Sequence, residues 1–227
     1  MNQLSLNVLA ITIFTLTLSS LLGPMINLNP AIPAAAAFII LGLMTVDTLQ
    51  WDGRGSAFGL GVLASLSPQY RDRLLHHEAG HFLVAYLLDI PITGYTLNPW
   101  DALKAGQRGQ AGVSFDDGAI ATQLQQGTLS AQWVDRYCQM WMAGEGAEQL
   151  VYGSAEGGAD DRQNLKLLLN RCLPLGSKDW QAKQKWSLLQ AETLIKEHWS
   201  AYEALVSAMR QNLSVDDCME TIKQHQA

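Results

Sequence analysis

The sequence predicts a mainly α-helical protein in two parts. A membrane-type helical hairpin occupies residues 1–53, a glycine-rich linker 54–66, and a helical domain with one small β-hairpin 67–227. Three observations predict this. First, charge is unevenly spread: of 36 charged side chains, only Asp47, Asp52 and Arg54 precede residue 67. Second, residues 4–26 and 31–49 are two apolar runs, the first without any charge and the second with one Asp. Third, the remainder repeats apolar residues at helical spacing, broken near 91–116 by proline, glycine and alternating residues.

Each apolar run is about the ~20 residues that a helix needs to cross a bilayer core. Asn27-Leu28-Asn29-Pro30 supplies a turn between them. Two helices joined by a tight turn satisfy their own backbone hydrogen bonds, as lipid demands. A cleaved signal peptide needs a basic start, and residues 1–30 hold no Lys or Arg. Arg54, Arg71 and Arg73 follow the second run, whereas the turn carries no positive charge. The positive-inside rule then places both ends and the helical domain on the cytoplasmic side, or on its stromal equivalent. This is the expectation for an integral protein with two spans and the lipid bilayer as a partner. The stretch Ala57–Leu66 is too short to span.

Composition excludes other classes. Net charge is −6, and residues 67–227 hold 14 basic against 19 acidic side chains, so no electrostatic footprint for nucleic acid exists. Cys138, Cys172 and Cys218 form no C-x-x-C pair, which argues against a thiolate metal site or a dithiol redox site.

Ser67 and Pro68 open a helix as cap and first residue, and the helix stops before Pro91. Further elements follow: a β-hairpin at about 92–116 and helices at 117–126, 130–152, 160–173 and 179–212. A last helix starts after Ser214. The long helix repeats Trp186, Leu189, Leu194, Ile195, Trp199, Tyr202, Leu205, Val206 and Met209 at helical period.

The first of these helices carries His77-Glu78-Ala79-Gly80-His81, an H-E-x-x-H. Residues i and i+4 share a helical face, so His77 and His81 converge on one ion, each at roughly 2.1 Å if it is zinc. Glu78 lies about 100° round the helix, too far to bind that ion but within reach of a water on it. The pattern therefore points to Zn2+ as cofactor and Glu78 as general base. His76 points about 100° away from His77 and reads as a supporting or surface residue. A third protein ligand is required. The remaining histidines, His198 and His225, lie in charged helical segments, so a carboxylate is the better candidate. Glu145 and Glu148 in MAGEGAEQLVYG offer one source, and Asp160 and Asp161 after GSAEGG offer the other.

Residues 67–224 resemble the peptidase domain of FtsH-type ATP-dependent zinc metalloproteases. HHEAGHFLVAYLLDIPI resembles that family's zinc helix. YTLNP and GQAGVSF resemble the hairpin after it, and MAGEGAEQLVYG resembles a glycine-rich helix ending in Tyr/Phe-Gly. GGADD resembles the family's Gly-Ala-Ser-Asn-Asp, and the segment 191–222 resembles its closing helices. The resemblance implies a membrane-anchored zinc metalloendopeptidase acting on protein or peptide substrates. It implies that Asp161 is the third zinc ligand, with Asp160 in the Asn position and Glu148 close to the metal without binding it. It also implies a partner ATPase or FtsH-like subunits, because no G-x-x-x-x-G-K-[ST] occurs in the chain. Two further departures are Glu145-Gly146 in place of the family's Arg and an insertion, Trp100–Arg108, within the hairpin. Two alternatives stand beside this reading: a non-proteolytic scaffold or assembly protein that keeps the fold, and a site-2-type intramembrane protease. The latter is disfavoured by Arg71, Arg73 and Asp89 around the motif.

Overall fold

The structure is a computed structural model that describes residues 3–50, 54–104, 112–116, 118, 122–123, 126, 129–172 and 177–226. In chain order its elements are α1 (Gln3–Leu22), a 3-10 turn (Gly23–Ile26), α2 (Ala31–Gln50), α3 (Arg54–Ser65), α4 (Pro68–Leu87), β1 (Ile92–Thr96), α5 (Pro99–Lys104) and β2 (Gly112–Phe115). Then come α6 (Ala131–Tyr152), α7 (Ala159–Cys172), α8 (Ser177–Glu197), α9 (Trp199–Arg210) and α10 (Val215–His225). The chain is mainly helical with one small antiparallel sheet, as its sequence predicts. It divides into two compact units: residues 1–67 with 98–111, and residues 68–97 with 112–227.

In the first unit, α1 and α2 are long and apolar enough to cross a membrane. Between them Asn27 takes a left-handed conformation (φ 58°) and Asn29 Oδ1 accepts the Ala31 N–H at 2.9 Å. Five hydroxyls along the helices hide their own donors. Thr12, Thr17, Ser19, Thr45 and Thr48 each donate their hydroxyl to the carbonyl four residues earlier, at 2.7–2.8 Å. That bond removes a polar group from the helix surface. Meanwhile Ile11, Phe14, Leu21, Phe38, Leu41, Leu43 and Leu49 stay exposed. The segment expected as a glycine-rich linker, 54–66, is helical over Arg54–Ser65. Its start is held by Asp47 of α2, whose Oδ1 accepts the Gly55 N–H at 2.7 Å. That side-chain cap lies eight residues upstream, so it leaves no local mark in the glycine-rich segment itself.

The second unit is built on α4 crossing α6. Phe82, Leu83 and Ala79 of α4 pack with Met140, Ala143 and Ala147 of α6 in one buried core. The helices approach closely because position 80 has no side chain: a Cβ there would lie 2.5 Å from the Ala143 carbonyl oxygen. Tyr202, Leu205 and Met209 of α9 join the same core, as do Ala191 and Ile195 of α8. Ser130 caps α6 by accepting the Trp133 N–H, and Gly153 ends it in a left-handed conformation (φ 73°). β1 and β2 pair antiparallel, Tyr95 opposite Val113, with a bulge between Ile92 and Gly94.

Two expectations on this unit change. The helix expected over 179–212 breaks at His198 (φ −116°, ψ 36°), giving α8 and α9. The break costs little, because the Tyr202 N–H still reaches the His198 carbonyl at 2.9 Å and the His198 ring donates to the Leu194 carbonyl at 3.0 Å. It lets α8 lie on α6 while α9 lies on α4. The helix expected over 117–126 falls largely outside the described residues.

Candidate metal centre

The sequence places His77 and His81 one turn apart on α4, and α6 fixes both rings from behind. The His81 Nδ1–H donates to the Met140 carbonyl at 2.8 Å, and the His77 Nδ1–H donates to Glu148 Oε1 at 2.7 Å. A carbonyl only accepts, so Nδ1 of His81 carries its proton and Nε2 of the neutral ring is a lone pair. The same holds for His77 against the Glu148 carboxylate. Both Nε2 atoms then face each other at 3.1 Å.

Asp161, at the first turn of α7, closes the group. Its Oδ2 lies 3.3 Å from His77 Nε2 and 3.5 Å from His81 Nε2. Three donor atoms around a tetrahedral zinc at roughly 2.0–2.1 Å would be about 3.3 Å apart. The observed triangle has that size, and His77, His81 and Asp161 form the one candidate ligand group among the described residues. Two glycines make room for it. A Cβ at Gly144 would lie 2.3 Å from His77 Nε2, and one at Gly157 would lie 2.7 Å from Glu148 Oε1.

Charge also favours a cation here. Glu78, Glu148, His77 and His81 are buried, and Asp161 is partly so. Arg73 pairs with Glu148 at 3.1 Å, which leaves the Glu78 and Asp161 carboxylates to be balanced. Burial disfavours the His77 imidazolium, but hydrogen bonds to Asp161 and Glu148 overcome it and lift His77 to about 10. His81 is raised in the same way: burial opposes its charge, and Asp161 outweighs burial. Burial works against ionised Asp161 too, yet the two histidines hold it below the usual carboxylate range. A proton on these rings occupies the place of a cation.

Glu78 sits beside the group rather than in it. Its Oε2 accepts the Val113 N–H of β2 at 3.0 Å. Burial raises its pKa, partly offset by the two histidines. A carboxylate with a raised pKa next to a ligand triangle is suited to take and return a proton.

The other expected residues divide. Glu148 approaches the group, and its role is defined: Oε1 accepts from His77 Nδ1 and from the Gly157 N–H, Oε2 from Arg73 and from the Glu156 N–H. Burial would raise Glu148, but the His77 and backbone hydrogen bonds lower it. Asp160 is exposed at the start of α7 and does not join the triangle. His76 turns to the other side of α4, where its ring lies 2.9 Å from the Tyr202 hydroxyl. Glu145 pairs with Arg162 of α7 at 2.7 Å.

Sequence reasoning missed the Met140 carbonyl, the Val113 N–H and Arg73. The first two are backbone atoms and leave no mark in residue identity. Arg73 does leave one, since it stands four residues before His77 on the same helical face. No family model matches the chain, and no curated protein matches it.

Proposed function

We propose that this chain is a membrane-anchored zinc metalloendopeptidase, of the kind that the FtsH-type resemblance implies. The observation that carries this reading is the triangle of His77 Nε2, His81 Nε2 and Asp161 Oδ2, with both Nδ1 atoms tied off and Glu78 beside it. His77, His81 and Asp161 would hold the ion. Zinc bound there would supply a Lewis acid that acidifies water and polarises a peptide carbonyl. Glu78 takes the proton of the attacking water and delivers it to the departing amine. With Oε2 held by Val113, that transfer falls to Oε1. Glu148 keeps the His77 ring in the tautomer that leaves Nε2 unprotonated, and the Met140 carbonyl does the same for His81.

The two apolar helices support anchoring in a bilayer, and Arg54, Arg71 and Arg73 support a cytoplasmic or stromal placement of the helical domain. No phosphate-binding loop is present in the sequence, so unfolding of substrates would need a partner ATPase or FtsH-like subunits.

The test is the metal content and peptidase activity of the purified chain. Wild type is expected to hold one zinc per chain and to cleave an unfolded protein without ATP. Asp161→Ala is expected to lose the metal. Glu78→Gln is expected to keep the metal and lose roughly 10²–10⁴-fold in rate, the usual contribution of a general base. Zinc binding with no hydrolysis of any unfolded substrate would favour the scaffold reading. Wild type without metal would remove the peptidase reading.

A further inference from the structure

The connection from β1 to β2, residues 97–111, is long for a hairpin. From Asn98 onward it belongs to the first unit, with α1–α3, and not to the unit whose sheet it joins. Its helix α5 has a defined start. Asn98 Oδ1 accepts the Asp101 N–H at 2.8 Å, the Asn98 carbonyl accepts the Ala102 N–H at 3.2 Å, and Pro99 holds the first helical position. Ala102 is fully buried. The Trp100 ring meets Phe58 of α3 edge-on, with centroids 4.9 Å apart, yet Trp100 stays 57% exposed. The element therefore fixes one edge of a tryptophan and presents the rest outward, with Asp101 and Lys104 exposed beside it.

α3 continues the pattern. No charge occurs from Gly55 to Leu66, and Leu63 and Leu66 are exposed. At 12 residues it is about 18 Å long, well short of the ~30 Å bilayer core, so it does not cross. Exposed tryptophan and leucine on short elements, in the same unit as two membrane-type helices, fit the region where acyl chains meet headgroups. There an indole keeps its ring in apolar surroundings and its N–H among polar groups. Lys104 pairs with Asp101 at 4.0 Å, and with Arg108 in the sequence the connection keeps one net positive charge, suited to anionic headgroups.

We propose that α5, anchored by Trp100 and flanked by α3, is a membrane-docking element whose occupant is the bilayer interface. This rests on the reading of α1 and α2 as membrane spans. It also gives the insertion a role. The segment that docks returns as β2, whose Val113 N–H holds Glu78, with only the four residues 109–112 between the insertion and that residue. Bilayer contact is thereby tied covalently to the strand beside the candidate base.

The experiment uses the full chain, one copy per lipid nanodisc, in phosphatidylcholine with a minor share of phosphatidylglycerol. The acyl chains are brominated just below the headgroups or left unbrominated. Bromine quenches tryptophan on contact. Trp51 and Trp100 are the two tryptophans of the first unit, so Trp100→Phe is expected to remove roughly half of the quenchable emission. Phe preserves the ring contact with Phe58, so the variant keeps its fold. An unchanged quenched fraction in Trp100→Phe overturns the docking inference while the spans stand. Trp100 shielded from bromine in discs holding two copies but quenched in discs holding one assigns its preferred occupant as a second copy and also overturns it. A chain that never enters the discs overturns the membrane reading itself, a result distinct from either.

Discussion

At the scale of single residues, the centre depends on what surrounds the ligands as much as on the ligands. Arg73 meets Glu148 at 3.1 Å and lies over the Tyr152 ring at 4.6 Å, while Tyr152 donates to Asp72 at 2.8 Å. Arg73→Ala removes a charged partner from a buried carboxylate, a loss of about 2–3 kcal/mol. Glu148, and with it the His77 ring, loses one of its fixed contacts. Weaker zinc binding in chelator competition, by roughly tenfold or more, together with a lowered melting temperature, is the expected outcome. Arg73→Lys should recover part of the stability and less of the affinity, because lysine lacks the planar fork. Gly144→Ala tests the space beside the candidate ligands. Its methyl would overlap His77 Nε2, so the ring must move. Loss of cobalt or zinc binding with the helical circular-dichroism signal retained is expected. Of these residues, His77, Glu78 and His81 are legible from spacing alone. Asp161 is legible only through resemblance, because an Asp opening a helix is otherwise an ordinary cap.

At the scale of elements, α4 is readable from end to end: Ser-Pro before it, helical spacing within it, Asp89 and Pro91 after it. The break at His198 is not. Neither proline nor glycine marks it, and it arises because two partner helices, α6 and α4, draw the two halves apart. α5 is likewise silent at first reading, since a six-residue helix has too few turns to show a period. Gly80, by contrast, is visible as part of the motif, but its reason appears only in the packing of α4 on α6. A Cβ there would lie 2.5 Å from the Ala143 oxygen and 2.7 Å from the Ala147 Cβ. Gly80→Ala is therefore expected to separate the two helices and cost about 1–3 kcal/mol, the usual range for overpacking. Thermal unfolding measures that cost. Metal titration of the same variant should show weaker binding, since α4 carries both imidazoles and α6 carries their Nδ1 partners.

At the scale of the whole molecule, the two units differ in how they depend on titratable groups, and alkali should tell them apart. The first unit carries two helices long and apolar enough to cross a membrane, and their exposed apolar side chains and internal backbone bonds do not titrate. The second unit keeps ionisable groups neutral in its core. Burial pushes the Cys138 thiol up from 9.0 to about 12, and burial also raises the Tyr202 hydroxyl. The unfolded chain ionises these groups first as pH rises, so the unfolded state binds fewer protons there. Stability is full below pH 9 and falls between pH 9 and 12. By pH 11 the buried thiol alone accounts for a loss on the order of 3 kcal/mol, a large share of a typical domain's margin. An alkaline carbonate wash of membranes carrying this protein should therefore leave the chain in the pellet. The same wash should expose Cys138 to a thiol reagent that fails to reach it at pH 7. Release of the chain into the supernatant would count against the two spans. Retention with Cys138 still protected would show that the core of the second unit withstands the ionisation that its burial opposes.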